Sequence, residues 1–173
     1  QGRRYGHVYS RISNPTVSAL EAKLTLLDDA LGTIAISSGM AAITTTIMTL
    51  AEAGDEIITS KSLFGGTRQL FTDTLERFGI TFKHVNATDI EGYKAAITDK
   101  SRAIFIETIG NPKLDVPDIE AISAIAQAHN LPLIIDCTLT PPGFFKAKSF
   151  GATLRVFSTT KYMSGSGNTV GGG

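Results

Sequence analysis

A single cysteine, Cys137, excludes an intrachain disulfide framework and fits a reducing compartment, with the cytoplasm as the default location. An excess of either charge is missing too. Sixteen basic residues balance 16 acidic ones, so there is no electrostatic case for nucleic acid or an anionic membrane as a partner. Apolar runs are too short and interrupted to span a bilayer. No basic segment followed by an apolar one opens the chain as a secretory signal would. Three scattered histidines, at positions 7, 84 and 129, give no metal-ligand spacing with Cys137. The phosphate-binding patterns GxxxxGK[ST] and GxGxxG do not occur. There is no repeat, low-complexity stretch or internal linker.

The 173 residues, 42% hydrophobic and 18% charged, suffice for one globular domain with a sizeable core. The chain enters at Gln1-Gly2-Arg3-Arg4-Tyr5 without an initiator methionine and stops inside a glycine run, which reads as a piece of a longer protein. A polar, turn-rich opening leads to Asn14-Pro15, an N-cap and first-turn pair. A helix is expected from Thr16 to about Leu31, with Val17, Leu20, Leu24, Leu27 and Leu31 on one stripe and Gly32 at its end.

Beyond it, strands and helices alternate. Strands are expected at Thr33–Ile36, Glu56–Thr59, Thr81–Val85, Ala103–Ile106, Pro132–Ile135 and Thr153–Phe157. Helices are expected from the Ser37–Ala42 turn to Leu50, from Lys61–Thr67 to Phe78-Gly79, over Ile90–Ile97, and from Asp118 to His129-Asn130. The fold class is therefore α/β, a three-layer architecture with a mainly parallel sheet and helices on both faces.

Ligands of such sheets gather at the carboxyl ends of the strands. Ser38, Phe64, Asn111, Asp136, Ser158, Thr160 and Lys161 all fall at or just beyond such ends. The Ser37–Ala42 turn, from strand to helix, aims free backbone amides at an anion, and Gly39 permits close approach. Phe64, beside two glycines, lies its ring on a flat ligand or belongs to the core. Asp136 follows four apolar residues, so it meets a cation, caps a helix or stays solvated in a turn. Tyr9 and Arg11, two apart on an extended arm, either grip a phosphate together or lie on a flexible segment. Lys161 follows hydroxyls at 158 and 160. It is either a surface lysine over Tyr162 or an amine poised to form a Schiff base with an aldehyde.

A lysine, a strand-end aspartate and a phosphate cradle together suggest pyridoxal phosphate. The lysine anchors the aldehyde, the aspartate stabilises a protonated pyridine nitrogen, and a helix N-terminus with hydroxyls fixes the phosphate.

The order and spacing of these motifs identify a resemblance. Tyr9-Ser10-Arg11, Asn14-Pro15-Thr16, Ser37–Ala42, Glu107-Thr108-Ile109-Gly110-Asn111-Pro112, Ile135-Asp136, Pro141 and Ser158-Thr159-Thr160-Lys161-Tyr162 carry it. Through them the chain resembles the cysteine and methionine metabolism group of fold-type I pyridoxal-phosphate enzymes. The resemblance implies that 1–16 is an N-terminal arm contacting a neighbouring subunit, and that 17–173 is the cofactor-binding large domain, truncated before a C-terminal domain.

Lys161 would then be the Schiff-base lysine and proton shuttle. Asp136 would pair with the pyridine nitrogen, Asn111 would bond the ring hydroxyl, and Phe64 would stack on the ring. The amides of Gly39 and Met40, with Ser38, Ser158 and Thr160, would hold the phosphate, and Thr138 belongs to the same site. Tyr9 and Arg11 would reach the phosphate of a neighbouring subunit, which implies a homodimer or homotetramer with shared sites.

Three positions depart from the family's usual residues: Phe64 for a tyrosine, Cys137 for an asparagine and Phe157 for a histidine. The arginine for the substrate carboxylate normally lies beyond the segment in hand, so this stretch alone is expected to be inactive. Within the family, the stretches Leu63–Thr67, Glu107–Pro112 and Ser158–Gly165 look most like O-acetylhomoserine sulfhydrylases. The implied reaction is γ-replacement of acetate by sulfide to give homocysteine. Cystathionine γ-synthase and methionine γ-lyase chemistry are the alternatives within the class, and a catalytically incomplete scaffold is the alternative outside it.

Overall fold

The computed structural model describes residues 6–173; the first five residues of the expected arm lie outside them. Five strands form one sheet: β1 (Glu56–Ser60), β2 (Thr81–Val85), β3 (Ser101–Glu107), β4 (Leu133–Asp136) and β5 (Leu154–Val156). Their order is β2-β1-β3-β4-β5, and every neighbouring pair is parallel. The helices are α1 (Pro15–Asp28), α2 (Gly39–Leu50), α3 (Gly65–Gln69), α4 (Ile90–Ala96) and α5 (Ile119–Ala128).

Strand residues alternate between two cores, as the two-residue period of a strand requires. Ile57, Ala103, Phe105 and Ile134 face α2 and the segment after α3, where Ile43, Ile47, Phe71 and Leu75 pack. Ile58, Ile104, Ile106, Leu133 and Ile135 face α4 and α5, against Tyr93, Ile119 and Ile122. Both faces are covered, which is why β3 and β4 read as continuous apolar runs. Phe71 is fully buried, stacked on Phe82 at 4.3 Å and edge-on to Phe105 at 5.2 Å. Burying a side chain of this size contributes about 1.5–3 kcal/mol.

The helix starts follow their caps. The side chain of Asn14 accepts from the Thr16 and Val17 amides, Ser38 from Ala41, and Asp118 from Ala121. Four expectations are corrected. Helix α1 ends at Asp28 rather than Leu31, because Asp29 takes a left-handed conformation (φ 52°) and its amide turns back to the Leu26 carbonyl. Of its apolar stripe only Leu24 is buried; nothing among the described residues covers Leu20, Leu27 or Leu31. Thr33–Ile36 is not a strand. Ile36 alone pairs, antiparallel, with Gly172, in an exchange of two 2.9 Å backbone bonds. The segment expected to run as one helix from Lys61–Thr67 to Phe78 begins at Gly65 and loosens after Gln69 into a wide π turn, Leu70–Thr74, and a 3₁₀ turn, Leu75–Phe78.

The terminal glycines are packed rather than idle. Gly172 lies between Ile36 and Ser158, and a Cβ there would stand 2.4 Å from the Ser38 carbonyl oxygen. Strand β5 is only partly buried, because it has no strand beyond it in the five-stranded sheet and Leu154 is left 38% exposed.

Candidate active site

A cavity of about 490 Å³ opens at the carboxyl ends of β1, β3, β4 and β5. Ser38, Gly39, Met40, Phe64, Asn111, Asp136, Thr138, Ser158, Thr160 and Lys161 all line it. Tyr9 and Arg11 do not. They are exposed, and the Arg11 guanidinium sits over the Tyr9 ring at 5.2 Å.

One wall is the start of α2. The Ser38 hydroxyl is occupied in capping, accepting from the Ala41 amide at 3.1 Å. The amides of Gly39 and Met40, in the first turn, have no carbonyl inside the helix to bond and carry the positive end of its dipole. Ser158 packs directly against Gly39. The Ser158 amide donates to the Thr138 hydroxyl at 2.9 Å, and the Thr138 amide donates to Asp136 Oδ1 at 2.8 Å. Thr138 therefore ties the strand-end carboxylate to the hydroxyl turn. Thr160 is held by the terminal glycines: its hydroxyl accepts from the Gly171 amide at 3.1 Å and contacts the Gly171 carbonyl at 3.3 Å.

Asp136 is buried, and burial raises its carboxyl above the usual aspartate value against the pull of the Thr138 hydroxyl and amide and the Arg155 charge. It forms no ion pair among the described residues; Arg155 is committed to Asp28, to the Phe145 carbonyl at 3.0 Å and to the Thr140 carbonyl at 2.6 Å. A buried carboxylate without its own cation favours a positively charged guest. Lys161 lies in a wide turn after β5, Thr159–Met163, with a non-helical backbone (φ −95°, ψ −116°). Its amine makes no hydrogen bond or ion pair among the described residues.

Three groups in the cavity were not expected from the sequence. Glu107, at the end of β3, is in register with Asp136 and accepts from the Phe64 amide at 2.7 Å. Burial pushes its carboxyl up to about 8, opposed by the Phe64 and Asn111 amides and aided by the neighbouring Asp136 charge. It could have been found by the rule that picked out Asp136, since it too follows four apolar residues. The Thr67 hydroxyl is buried without a partner among the described residues, and Tyr162, beside Lys161, is 64% exposed. Phe64, 45% exposed, lays its ring over Gly66, where a Cβ would stand 2.6 Å from the ring edge.

These features fit a flat ligand with an anionic group at one end, a cationic ring atom and a carbonyl within reach of an amine. A family model described as Cys/Met metabolism PLP-dependent enzyme matches residues 1–173. The chain belongs to this family. In the Cys/Met metabolism family it is 44% identical over 168 residues to an O-acetyl-L-homoserine sulfhydrylase of Corynebacterium glutamicum, covering 96% of this chain and 38% of that protein. An O-acetylhomoserine sulfhydrylase structure from Wolinella succinogenes superposes with a TM-score of 0.86 at 47% identity, over 92% of this chain and 45% of that one. A cystathionine gamma-lyase structure from Lactobacillus plantarum, complexed with L-serine, superposes with a TM-score of 0.95 at 38% identity, over 99% and 45%. The chain thus spans about two-fifths of the length of the curated relatives it matches. Like the rest of the family it is a pyridoxal-phosphate protein of the α/β class. None of the described helices is long and apolar enough to cross a membrane.

Proposed function

We propose that this chain serves a pyridoxal-phosphate-dependent γ-replacement in methionine biosynthesis: O-acetylhomoserine and sulfide give homocysteine and acetate. The observation that carries this reading is the convergence on one cavity of a helix N-terminus with a lysine amine and a buried carboxylate, neither of them paired among the described residues. Similarity to sulfhydrylases supports the substrate and the sulfur donor.

Bound pyridoxal phosphate supplies an electron sink for the carbanion left when a substrate proton is removed. Lys161 would hold the cofactor and shuttle protons, taking one from the α-carbon and, once that one is handed on, one from the β-carbon, and returning one to each carbon after acetate has left the γ-carbon and sulfide has added there. Asp136 would pair with the ring nitrogen of the cofactor. Asn111 would bond the ring hydroxyl and Phe64 would cover a ring face, while Thr138 keeps Asp136 and Ser158 in register. The amides of Gly39 and Met40, with Ser38, Ser158 and Thr160, hold the phosphate. Phe64 has no hydroxyl to share the proton transfers, which leaves them to Lys161 and favours replacement over lyase chemistry.

Two further elements belong to the proposal. No arginine lines the cavity among the described residues, so the substrate carboxylate is gripped from outside this stretch. Tyr9 and Arg11 stand away from their own cavity, and α1 presents Val17, Leu20 and Leu27 to solvent, which supports a homodimer or homotetramer in which the arm serves a neighbour's site. The buried, unpaired Cys137 supports a cytoplasmic location.

The test is product analysis of the full protein with O-acetylhomoserine and sulfide. Homocysteine and acetate in equal amounts, abolished by Lys161→Ala, is the expected result. An oxo acid and ammonia as the main products would show a γ-lyase instead.

A further inference from the structure

We propose that Glu107 is a positioning residue of this cavity. Its carboxyl group anchors the backbone of Phe64 and so fixes the ring that covers the ligand. The proposal rests on the pyridoxal-phosphate reading above for the identity of the ligand, but not for the anchor itself.

Glu107 ends β3 and projects into the cavity beside Asp136, its register partner on β4. It is 7% exposed and makes no ion pair among the described residues, an arrangement that a structural surface glutamate does not need. Its one short bond is to the Phe64 amide, 2.7 Å from Oε1. That amide immediately precedes α3, where no side chain caps the helix. Phe64 stands just before Gly65 and Gly66; its carbonyl accepts from the Arg68 amide at 3.0 Å, and its ring is only half-buried. The Glu107 carboxyl thus reaches the backbone of the residue assigned to the face of the ligand's ring.

The Glu107→Gln side chain keeps an oxygen in place for the Phe64 amide, whereas Glu107→Ala removes it. Two readouts on the full protein separate the possibilities. The first is hydrogen exchange of the backbone over residues 61–69 without cofactor. The second is the dissociation constant for added pyridoxal phosphate. Glu107→Ala is expected to lose protection at Phe64 and weaken pyridoxal phosphate by about tenfold, the scale of one lost hydrogen bond. Glu107→Gln should retain protection and stay within about threefold of wild type, since the amide oxygen replaces the acceptor. Adding Glu107→Ala to Phe64→Ala should weaken binding little beyond Phe64→Ala alone, because both act through the same ring.

Unchanged exchange in Glu107→Ala overturns the anchor. Lost protection with unchanged cofactor affinity overturns the positioning role, as does a Gln variant as impaired as Ala. A wild-type protein that takes up no pyridoxal phosphate contradicts the cofactor reading and not the anchor, which the exchange result decides by itself.

Discussion

Gly39 and Ser158, 119 positions apart in sequence, meet so closely that a Cβ on Gly39 would stand 2.6 Å from the Ser158 Cβ and 3.0 Å from its Cα. This contact brings the N-terminus of α2 against the hydroxyl turn that follows β5. Gly39→Ala must push the two apart, and overpacking of this kind typically costs about 1–3 kcal/mol. The expected outcome is a protein that keeps its far-ultraviolet circular dichroism but binds pyridoxal phosphate at least about tenfold more weakly. Unchanged affinity in a cofactor titration would show that the phosphate does not depend on this junction.

The Glu107 carboxyl, raised to about 8 from an ordinary 4.5, sets a direction for stability. Between those two values the folded protein holds a proton that the unfolded chain has released. Its contribution is therefore fully present below the unfolded value and is lost as pH rises towards 8. Asp136 is raised as well and acts in the same sense, whereas the lowered His84 opposes it as pH falls. Urea denaturation of cofactor-free protein above the histidine range removes the His84 contribution, and comparison with Glu107→Gln isolates Glu107. Wild type should lose stability with rising pH more steeply than Glu107→Gln, and superimposable profiles would contradict the assignment.

How much of this was legible in the sequence depends on how local each cause is. Strands β3 and β4 were readable because burial on both faces leaves unbroken apolar runs, and Asp136 was conspicuous for ending one of them. Glu107 ends the other and was equally available. The α1 stripe was visible as a pattern, but periodicity does not say what covers a face, and here only Leu24 finds a core. Thr33–Ile36 looked like a strand because Ile34-Ala35-Ile36 is a short apolar run before a turn. Its only ladder partner among the described residues is Gly172, which pairs with Ile36, 136 positions away. The Asp28–Arg155 ion pair, which fastens the end of α1 to β5, likewise joins residues 127 apart and left no local signal. Caps at Asn14 and Asp118 depend on neighbours a few residues away and were found where expected, whereas Ser38, expected only in the turn that feeds α2, also caps it.

Cys137 is fully buried, and burial pushes its thiol up to about 12. It should be inert in the native protein, since the thiolate is the reactive form. Ellman's reagent should release no colour from this position until denaturant is added, and the rate should follow unfolding. Prompt reaction of Cys137 in native protein would mean that the β4 end opens readily.

The most direct test of the central assignment is an absorbance spectrum of the full protein with pyridoxal phosphate, taken before and after borohydride and followed by peptide mapping. The expected result is a yellow band that disappears on reduction, with the pyridoxyl label on Lys161. No band after incubation with the cofactor, or a label fixed on a different lysine, would contradict Lys161 as the anchor of the site.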